Sequence, residues 1–273
     1  MINNSSSNQL KLSLVIPAYN EQRQLKACLD SVASQTVIPF EVIVVNNGST
    51  DKTKEVASSY SFVSVVDEPN RGIVYARTTG FDLAKGDIIG RIDADSVLPA
   101  NWVEYILDFY TDPTNLDKAF TGGCYFYNVR LPHFAGWLQG QIAFRTNRLL
   151  LGHYILFGSN MALPKAMWES VKADACTNVE IHEDLDLSIH LHRNGYKICY
   201  LEPHHVGLLM RRVRSNQGEL WGNLMMWPKT LKKHHLWTWV FGWLGALMLW
   251  LLLPIITIAE YIARLFGKPP LED

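Results

Sequence analysis

Short apolar runs alternate with helical spacings along the first hundred residues. Leu12–Ala18 is rich in β-branched residues and reads as a buried strand, with Pro17 expected to end it. Leu25, Leu29 and Val32 fall at helical spacing within Gln24–Val32, and a second strand, Glu41–Val45, follows Pro39. It stops at Asn46-Asn-Gly-Ser-Thr-Asp51, a turn-forming cluster whose side chains bond local backbone. A helix through Lys54–Ser58, a third strand around Phe62–Val66 and a helix over Gly72–Ala84 come next, the last with a small face of Ala76, Gly80 and Ala84. It feeds a strand, Asp87–Asp95. The alternation predicts an α/β fold with a mostly parallel sheet wrapped by helices on both sides. Ligands of such sheets bind beyond the carboxyl ends of the strands, where Pro17–Glu21, Asn46–Asp51 and Asp93–Asp95 fall.

After Asp95 the pattern changes. Trp102–Tyr110 reads as an amphipathic helix and Phe120–Val129, with Gly122-Gly123, as a strand returning beneath the site. Gly136–Leu151 mixes aromatics, Leu and two Arg residues and suits a lid or an acceptor-facing helix. His182–Gly195 reads as a helix with Glu183, Asp184 and Asp186 in its first turn and Asn194-Gly195 as a left-handed stop before a strand, Tyr196–Leu201.

In an extended strand Asp93 and Asp95 emerge on one side while Ala94 turns away. Carboxylates that close are tolerated if a cation sits between them or one takes up a proton. Hard oxygen ligands suit Mg2+ or Mn2+ together with the phosphates of a nucleotide diphosphate; a solvated Asp-rich turn is the competing reading. The three acids opening the later helix can merely compensate its dipole, or their repulsion can raise one pKa into the range of a general base.

Lys+Arg of 25 against Asp+Glu of 26 gives a formal charge of -1, so no global field points to nucleic acid. Cys28, Cys124, Cys176 and Cys199 are far apart and make no CxxC or CxxH pattern, which argues against a zinc site or disulfide framework and fits a reducing compartment. Met1–Gln9 is polar, without the apolar core of a secretory signal. Leu236–Ala259 passes without a charge until its end, enough for the ~20 residues of a membrane span. Trp237, Trp239 and Trp243 crowd its start, and Lys229, Lys232 and Lys233 precede it. That bias places the main domain on the cytoplasmic side; a buried core helix or an in-plane anchor stays open because of Gly242, Gly245 and Pro254. The expected organisation is a polar tail (1–10), a main domain (11–225, with halves 11–98 and 99–225) and a juxtamembrane segment with a C-terminal hydrophobic membrane helix (226–273).

No GxGxxG follows the first strand and no GxxxxGK[ST] loop occurs, which counts against dinucleotide oxidoreductases and P-loop enzymes. Instead, Val15-Ile-Pro-Ala-Tyr-Asn-Glu21, Val42-Ile-Val-Val-Asn-Asn-Gly-Ser-Thr-Asp51, Asn70-Arg-Gly72 with Ala76-Arg77, Gly86-Asp-Ile-Ile-Gly-Arg-Ile-Asp-Ala-Asp95, Gly158-Ser-Asn-Met-Ala162 and His182-Glu-Asp-Leu-Asp186 resemble, in order and spacing, the motifs of family 2 glycosyltransferases of the GT-A fold. The likeness covers about Leu12 to Leu201.

The resemblance implies a metal-assisted transferase that uses a nucleotide-diphosphate sugar and inverts the anomeric carbon. It places Pro17, Ala18, Tyr19 and Glu21 along the nucleoside pocket, Tyr19 offering an aromatic face. Asn47 stands where the family usually has an Asp that accepts from uracil, so a UDP-sugar is expected with the base preference weakened, since an amide both donates and accepts. Asp95 is implied as the main ligand for Mn2+ or Mg2+, Asp93 as oriented to ribose or metal, and Arg77 as near the diphosphate. Asp184 is implied as the general base, with Glu183 beside it on the acceptor side. His205, from His204-His205, matches a region where related enzymes sometimes hold metal, or is a surface feature. Arg211-Arg-Val-Arg214 suits a diphosphate or anionic lipid. Gln217-Gly-Glu-Leu-Trp221 resembles the Gln-x-x-Arg-Trp motif of processive members, placing Trp221 near the acceptor, but Leu220 replaces the Arg, which favours single-sugar transfer. The acceptor expected of a membrane-associated member is a hydroxyl of a lipid-linked or cell-surface glycan, with the bilayer as a further partner. Two other classes compete: a nucleotidyltransferase on a similar sheet, which gives no reason for Glu183-Asp184, and a non-catalytic membrane scaffold that binds sugar.

Overall fold

Every residue of the central strand is buried, in a run that is apolar but for Ser13, whose hydroxyl donates to Glu41 Oε1 (2.6 Å). This strand, β1 (Leu12–Ala18), pairs in parallel with β2 (Glu41–Asn46), which pairs with β3 (Val63–Asp67); on the other side β1 pairs in parallel with β4 (Ile88–Arg91). A computed structural model of the chain describes residues 10–129, 131–202, 205–209, 217–248 and 250–251. The sheet continues through β5 (Lys118–Thr121), β7 (Met161–Pro164) and β8 (Lys197–Tyr200), in the order β3-β2-β1-β4-β7-β5-β8. Strand β7 is antiparallel to both its neighbours, so the sheet is mostly parallel. A separate two-stranded sheet joins β6 (Cys124–Phe126) and β9 (Val206–Leu208).

Alternate strand residues serve two cores. Leu12, Leu14 and Ile16 face α1 (Leu25–Ala33) and α4 (Trp102–Thr111), with α2 (Thr53–Ser58) contributing Ala57 on the same side. Val15, Ile43 and Val45 face α3 (Ile73–Leu83), α7 (Lys165–Val171) and α8 (Glu183–Arg193). The small face expected on α3 is there for contact: a Cβ on Gly80 would lie 2.3 Å from Val15 Cγ1.

Three boundaries differ from the sequence reading. Pro17 does not end β1, because Val15 already binds the last β4 partner through its carbonyl to Ile92 N–H; the missing N–H of Pro17 points to the same side, where β4 has stopped. Strand β4 ends at Arg91, and Asp93–Ser96 closes a turn through Ser96 N–H to Asp93 C=O (3.0 Å), so the two aspartates do not alternate on one strand. The single strand expected over Phe120–Val129 breaks at Gly122-Gly123 into β5 and β6, which belong to different sheets.

The region expected as a lid is α5 (Pro132–Gly140), one π turn (Gln141–Arg145) and α6 (Thr146–Leu151). Helix α9 (Gln217–Lys233) is followed by a reversal at His234–Thr238 and a second helical stretch from 239. The two pack against each other: a Cβ on Gly242 would lie 3.4 Å from Pro228 Cα, and the Trp221 and Trp250 rings meet edge-on at 5.5 Å. No helix among the described residues is long and apolar enough to cross a membrane. The expected span begins instead as a non-helical reversal at Leu236, and residues 249 and 252–259 lie outside the described residues, as do His204 and Arg211–Arg214.

Candidate active site

The cleft is organised by a side chain that the sequence reading passed over. Arg91, the last residue of β4, is 2% exposed, and a guanidinium there must find counter-charges. It finds three. Nη1 binds Asp184 Oδ1 at 2.5 Å and Glu183 Oε1 at 3.1 Å, while Nη2 binds Asp93 Oδ1 at 3.1 Å. One cation thus ties the acidic turn after β4 to the first turn of α8. Room for it comes from Gly158, whose Cβ would lie 2.4 Å from Arg91 Cζ. The same loop supplies donors: Gly158 N–H to Asp184 Oδ2 (2.8 Å) and Ser159 Oγ–H to Asp93 Oδ2. Asn160 fixes it by accepting from Trp102 Nε1 (2.8 Å) and donating to Gly123 C=O (2.9 Å).

Burial of Asp184 pushes its carboxyl up to about 6 against the opposing pull of Arg91, with Glu183 and Asp93 adding to the rise. For the neighbouring Glu183, burial acts in the same direction, but Arg91, His182 and Arg77 outweigh it and hold the group below its ordinary value. Two adjacent carboxyls are thereby pushed apart, the arrangement expected of one base and one fixed anion. Helix α9 reaches the same place: Thr230 Oγ1 accepts from His182 N–H (2.8 Å), and the Trp227 ring lies 5.1 Å from the His182 ring.

The β1 and β2 loops are stitched together at the nucleoside side. Glu21 N–H donates to Thr53 Oγ1 (2.7 Å), Thr50 N–H to Asn20 Oδ1 (2.8 Å), and Asn47 N–H to Ala18 C=O (2.9 Å). Pro17, Ala18 and Glu21 are buried, whereas Tyr19 is 42% exposed with the Arg71 guanidinium 3.5 Å above its ring centroid.

Asn47, expected at the nucleoside pocket, is buried and bonded to backbone. Its Nδ2 donates to Asn70 C=O (2.6 Å) and Glu68 C=O (3.2 Å), and its Oδ1 accepts from Gly72 N–H (2.8 Å), so the amide latches the 68–72 loop. An Asp could not make the two donations, which accounts for the departure at this position. Arg77, expected near the diphosphate, is fully buried; its guanidinium lies 5.3 Å from the Trp168 ring and donates to Glu183 C=O (3.1 Å), so it positions α8 from behind.

Asp95 is half-buried in the turn, with its carbonyl taken by Tyr127 Oη (3.4 Å). His205 packs against Gly123 and its Nε2 is buried without a hydrogen-bond partner; among the described residues it does not gather with Asp93 and Asp95 into a three-ligand group. Trp221 lies in the paired C-terminal helices rather than with the acids. A cavity of about 300 Å3 beside the π turn is lined by Phe144, Arg145, Tyr154, Tyr200 and Glu202, among others. What the sequence reading missed, Arg91 and Ser159, had one signal: a charged residue inside an otherwise apolar strand.

Solved structures share this architecture. The mannosyltransferase PcManGT from Pyrobaculum calidifontis, in complex with GDP-Man and Mn2+, superposes with a TM-score of 0.62 at 19% identity, covering 96% of this chain and 77% of that one. S. aureus TarS 1-349 in complex with UDP-GlcNAc gives 0.59 at 17% identity, over 80% and 65%. In sequence, the hyaluronan synthase of Pasteurella multocida is 39% identical over 119 residues, 41% of this chain but 12% of the synthase. The glucosyl-dolichyl phosphate glucuronosyltransferase of Haloferax volcanii is 31% identical over 120 residues, 42% of this chain and 38% of the relative. The chain thus spans well under half the length of these relatives. With the Glycosyl transferase family 2 model matching residues 13–169, more than half of the sequence, the chain belongs to glycosyl transferase family 2.

Proposed function

We propose that this domain transfers a sugar from a nucleotide-diphosphate sugar to an acceptor hydroxyl by a single inverting displacement, with Asp184 as general base. The observation that carries the reading is the Arg91 bridge, which holds the α8 acids and the turn after β4 at one place instead of on separate surfaces. Each Asp184 oxygen has a second lone pair beyond those given to Arg91 and Gly158, and the raised pKa suits proton transfer near neutrality. Arg91 then neutralises the carboxylate before the proton arrives and the Gly158 N–H holds its orientation.

The cleft fits a divalent cation on one ground: Asp93 and Asp95 set two hard-oxygen carboxylates in the turn that follows β4, with Asp93 held in place by Arg91 and Ser159. Mn2+ or Mg2+ there would offset charge on the departing diphosphate, and the complex of the Pyrobaculum enzyme with GDP-Man and Mn2+ supports that choice of ion. The donors of the two structural relatives, UDP-GlcNAc and GDP-Man, support a nucleotide-diphosphate sugar, and UDP is the first candidate. With Asn47 committed to backbone, the base is read by the Tyr19 ring and the loop around it, and Arg71, stacked and exposed at the pocket edge, takes the phosphate role first given to Arg77. We place the enzyme on the cytoplasmic face of a membrane, acting on a lipid-linked or cell-surface glycan: the C-terminal helical pair exposes Trp237, Phe241, Leu244 and Met248, and Lys229, Lys232 and Lys233 lie alongside.

The test is nucleoside diphosphate release from UDP-, GDP- and dTDP-sugars with Mn2+ or Mg2+. Asp184→Asn should keep donor binding by thermal shift and lose transfer; transfer comparable to wild type would remove the base assignment. Release of pyrophosphate from a nucleoside triphosphate would instead point to a nucleotidyltransferase.

A further inference from the structure

Helix α8 carries a second group of ligand atoms on another face. Asp184 and Asp186 are two residues apart, so their side chains diverge by roughly 200° around the axis. The first turns to Arg91; the second, fully buried, turns to the loop after α7 and the end of α9. There Asp186 Oδ2 accepts from Cys176 N–H (2.9 Å), and Oδ1 lies 2.7 Å from His234 Nε2 and 3.6 Å from His190 Nε2. One ligand atom from each of Cys176, Asp186, His190 and His234 lies within 4.8 Å of all the others. The His190 Nε2 is buried and makes no hydrogen bond, an orphan nitrogen aimed at the group.

We propose that Cys176, Asp186, His190 and His234 bind one zinc ion, away from the catalytic cleft. The donor chemistry selects it: a thiolate with two imidazoles is too soft for Mg2+, and thiolate plus carboxylate match the ion's two charges. Tetrahedral zinc bonds of about 2.0–2.3 Å set ligand atoms roughly 3.3–3.8 Å apart; the His190–Asp186 spacing of 3.6 Å already fits, the wider spacings must close, and the 2.7 Å contact of His234 with Asp186 must open. Four protein donors leave no open position, so the ion is structural. Burial and Asp186 push the Cys176 thiol up and Lys233 offsets this only in part, so the ion itself must displace the thiol proton. Arg193 Nη1 lies 3.1 Å from His234 Nδ1, which must carry the ring proton when Nε2 ligates, so loading the site requires that guanidinium nitrogen to move aside; Nη2 donates to His234 C=O (2.8 Å). The ion clamps three elements: the loop holding Cys176, the helix that presents Glu183 and Asp184, and the end of α9. The lack of a CxxC or CxxH pattern hid the site, because its ligands come from three separate segments.

The test is the zinc content of the full chain after purification without added metal and dialysis against a weak chelator. Near one equivalent is expected, retained in Asp95→Asn and lost in His190→Ala. His190→Ala removes a nitrogen that makes no hydrogen bond, so its fold should survive without metal. Its zinc affinity should fall by at least the roughly 10–100-fold that loss of an outer-shell partner costs. Cobalt loading should give a thiolate charge-transfer band that Cys176→Ser abolishes. No zinc in wild type, wild-type zinc content in His190→Ala, or loss of zinc in Asp95→Asn would each overturn the site. None of these readouts depends on turnover, so failure here leaves the proposed transfer reaction standing.

Discussion

Arg91 binds three carboxylates with one guanidinium, and that economy makes it the residue on which the cleft most depends. Arg91→Met strips buried Glu183 and Asp184 of their salt-bridge partner, with Arg77 left as the nearby buried cation, and breaking a buried pair in this way costs about 3–5 kcal/mol. Urea unfolding should show the loss, with the midpoint falling and the slope unchanged. The pH profile belongs to Asp184. A base whose carboxyl is raised to about 6 is active above that value, so the rate should fall as pH drops through about 6 and plateau above it. The sign for stability is opposite: a group that holds its proton more tightly when folded favours the folded state at low pH, a contribution lost as pH rises from the ordinary carboxyl value through about 6. Asn47→Asp restores the residue usual in the family but places a carboxylate against two carbonyls, and a loss of about 1–3 kcal/mol is expected in the same unfolding measurement. The acids themselves were legible in the sequence because they recur in a recognisable order. Their partners were not, since spacing along the chain says nothing about which cation meets a carboxylate from 93 residues away.

At the scale of elements, the α3–β1 contact decides between two opposing effects. Gly80→Ala should stabilise an isolated helix by roughly 1 kcal/mol, yet its Cβ would sit 2.3 Å from a buried Val15 methyl group. Overpacking costs about 1–3 kcal/mol, so packing wins and thermal unfolding should shift downward. The first strands were readable from periodicity because β1, β2 and β4 are short, largely apolar runs. Strand β7 was not: Met161–Pro164 is four residues long and its direction is set by its neighbours, not by its own pattern. The break at Gly122-Gly123 was likewise hidden, since two short strands of different sheets run on in one apolar stretch.

Across the whole molecule, the C-terminal pair of helices leaves an apolar surface that includes Trp237, at 72% exposure. If that surface enters a bilayer interface, the full chain should co-float with vesicles containing anionic lipid. Trp237→Ser with Phe241→Ser should weaken partitioning by about tenfold or more, given the ~1.5–3 kcal/mol carried by each large apolar side chain. Unchanged flotation of the double variant would point to another contact. The charge-free stretch was plain in the sequence, but the reversal at His234–Thr238 was not, because it depends on Leu231 and Leu236 finding Leu185 and Ile189 of α8.

Strands β5 and β7 end and begin side by side: Thr121 is paired with Met161, and Gly122 N–H donates to Asn160 C=O at 3.0 Å. Everything between residues 122 and 160 is therefore an excursion with touching ends, and changing its length adds little closure entropy. A chain built this way can vary the length of that excursion away from Gly158 and Ser159 while the parallel floor of β1 to β4 stays where it is.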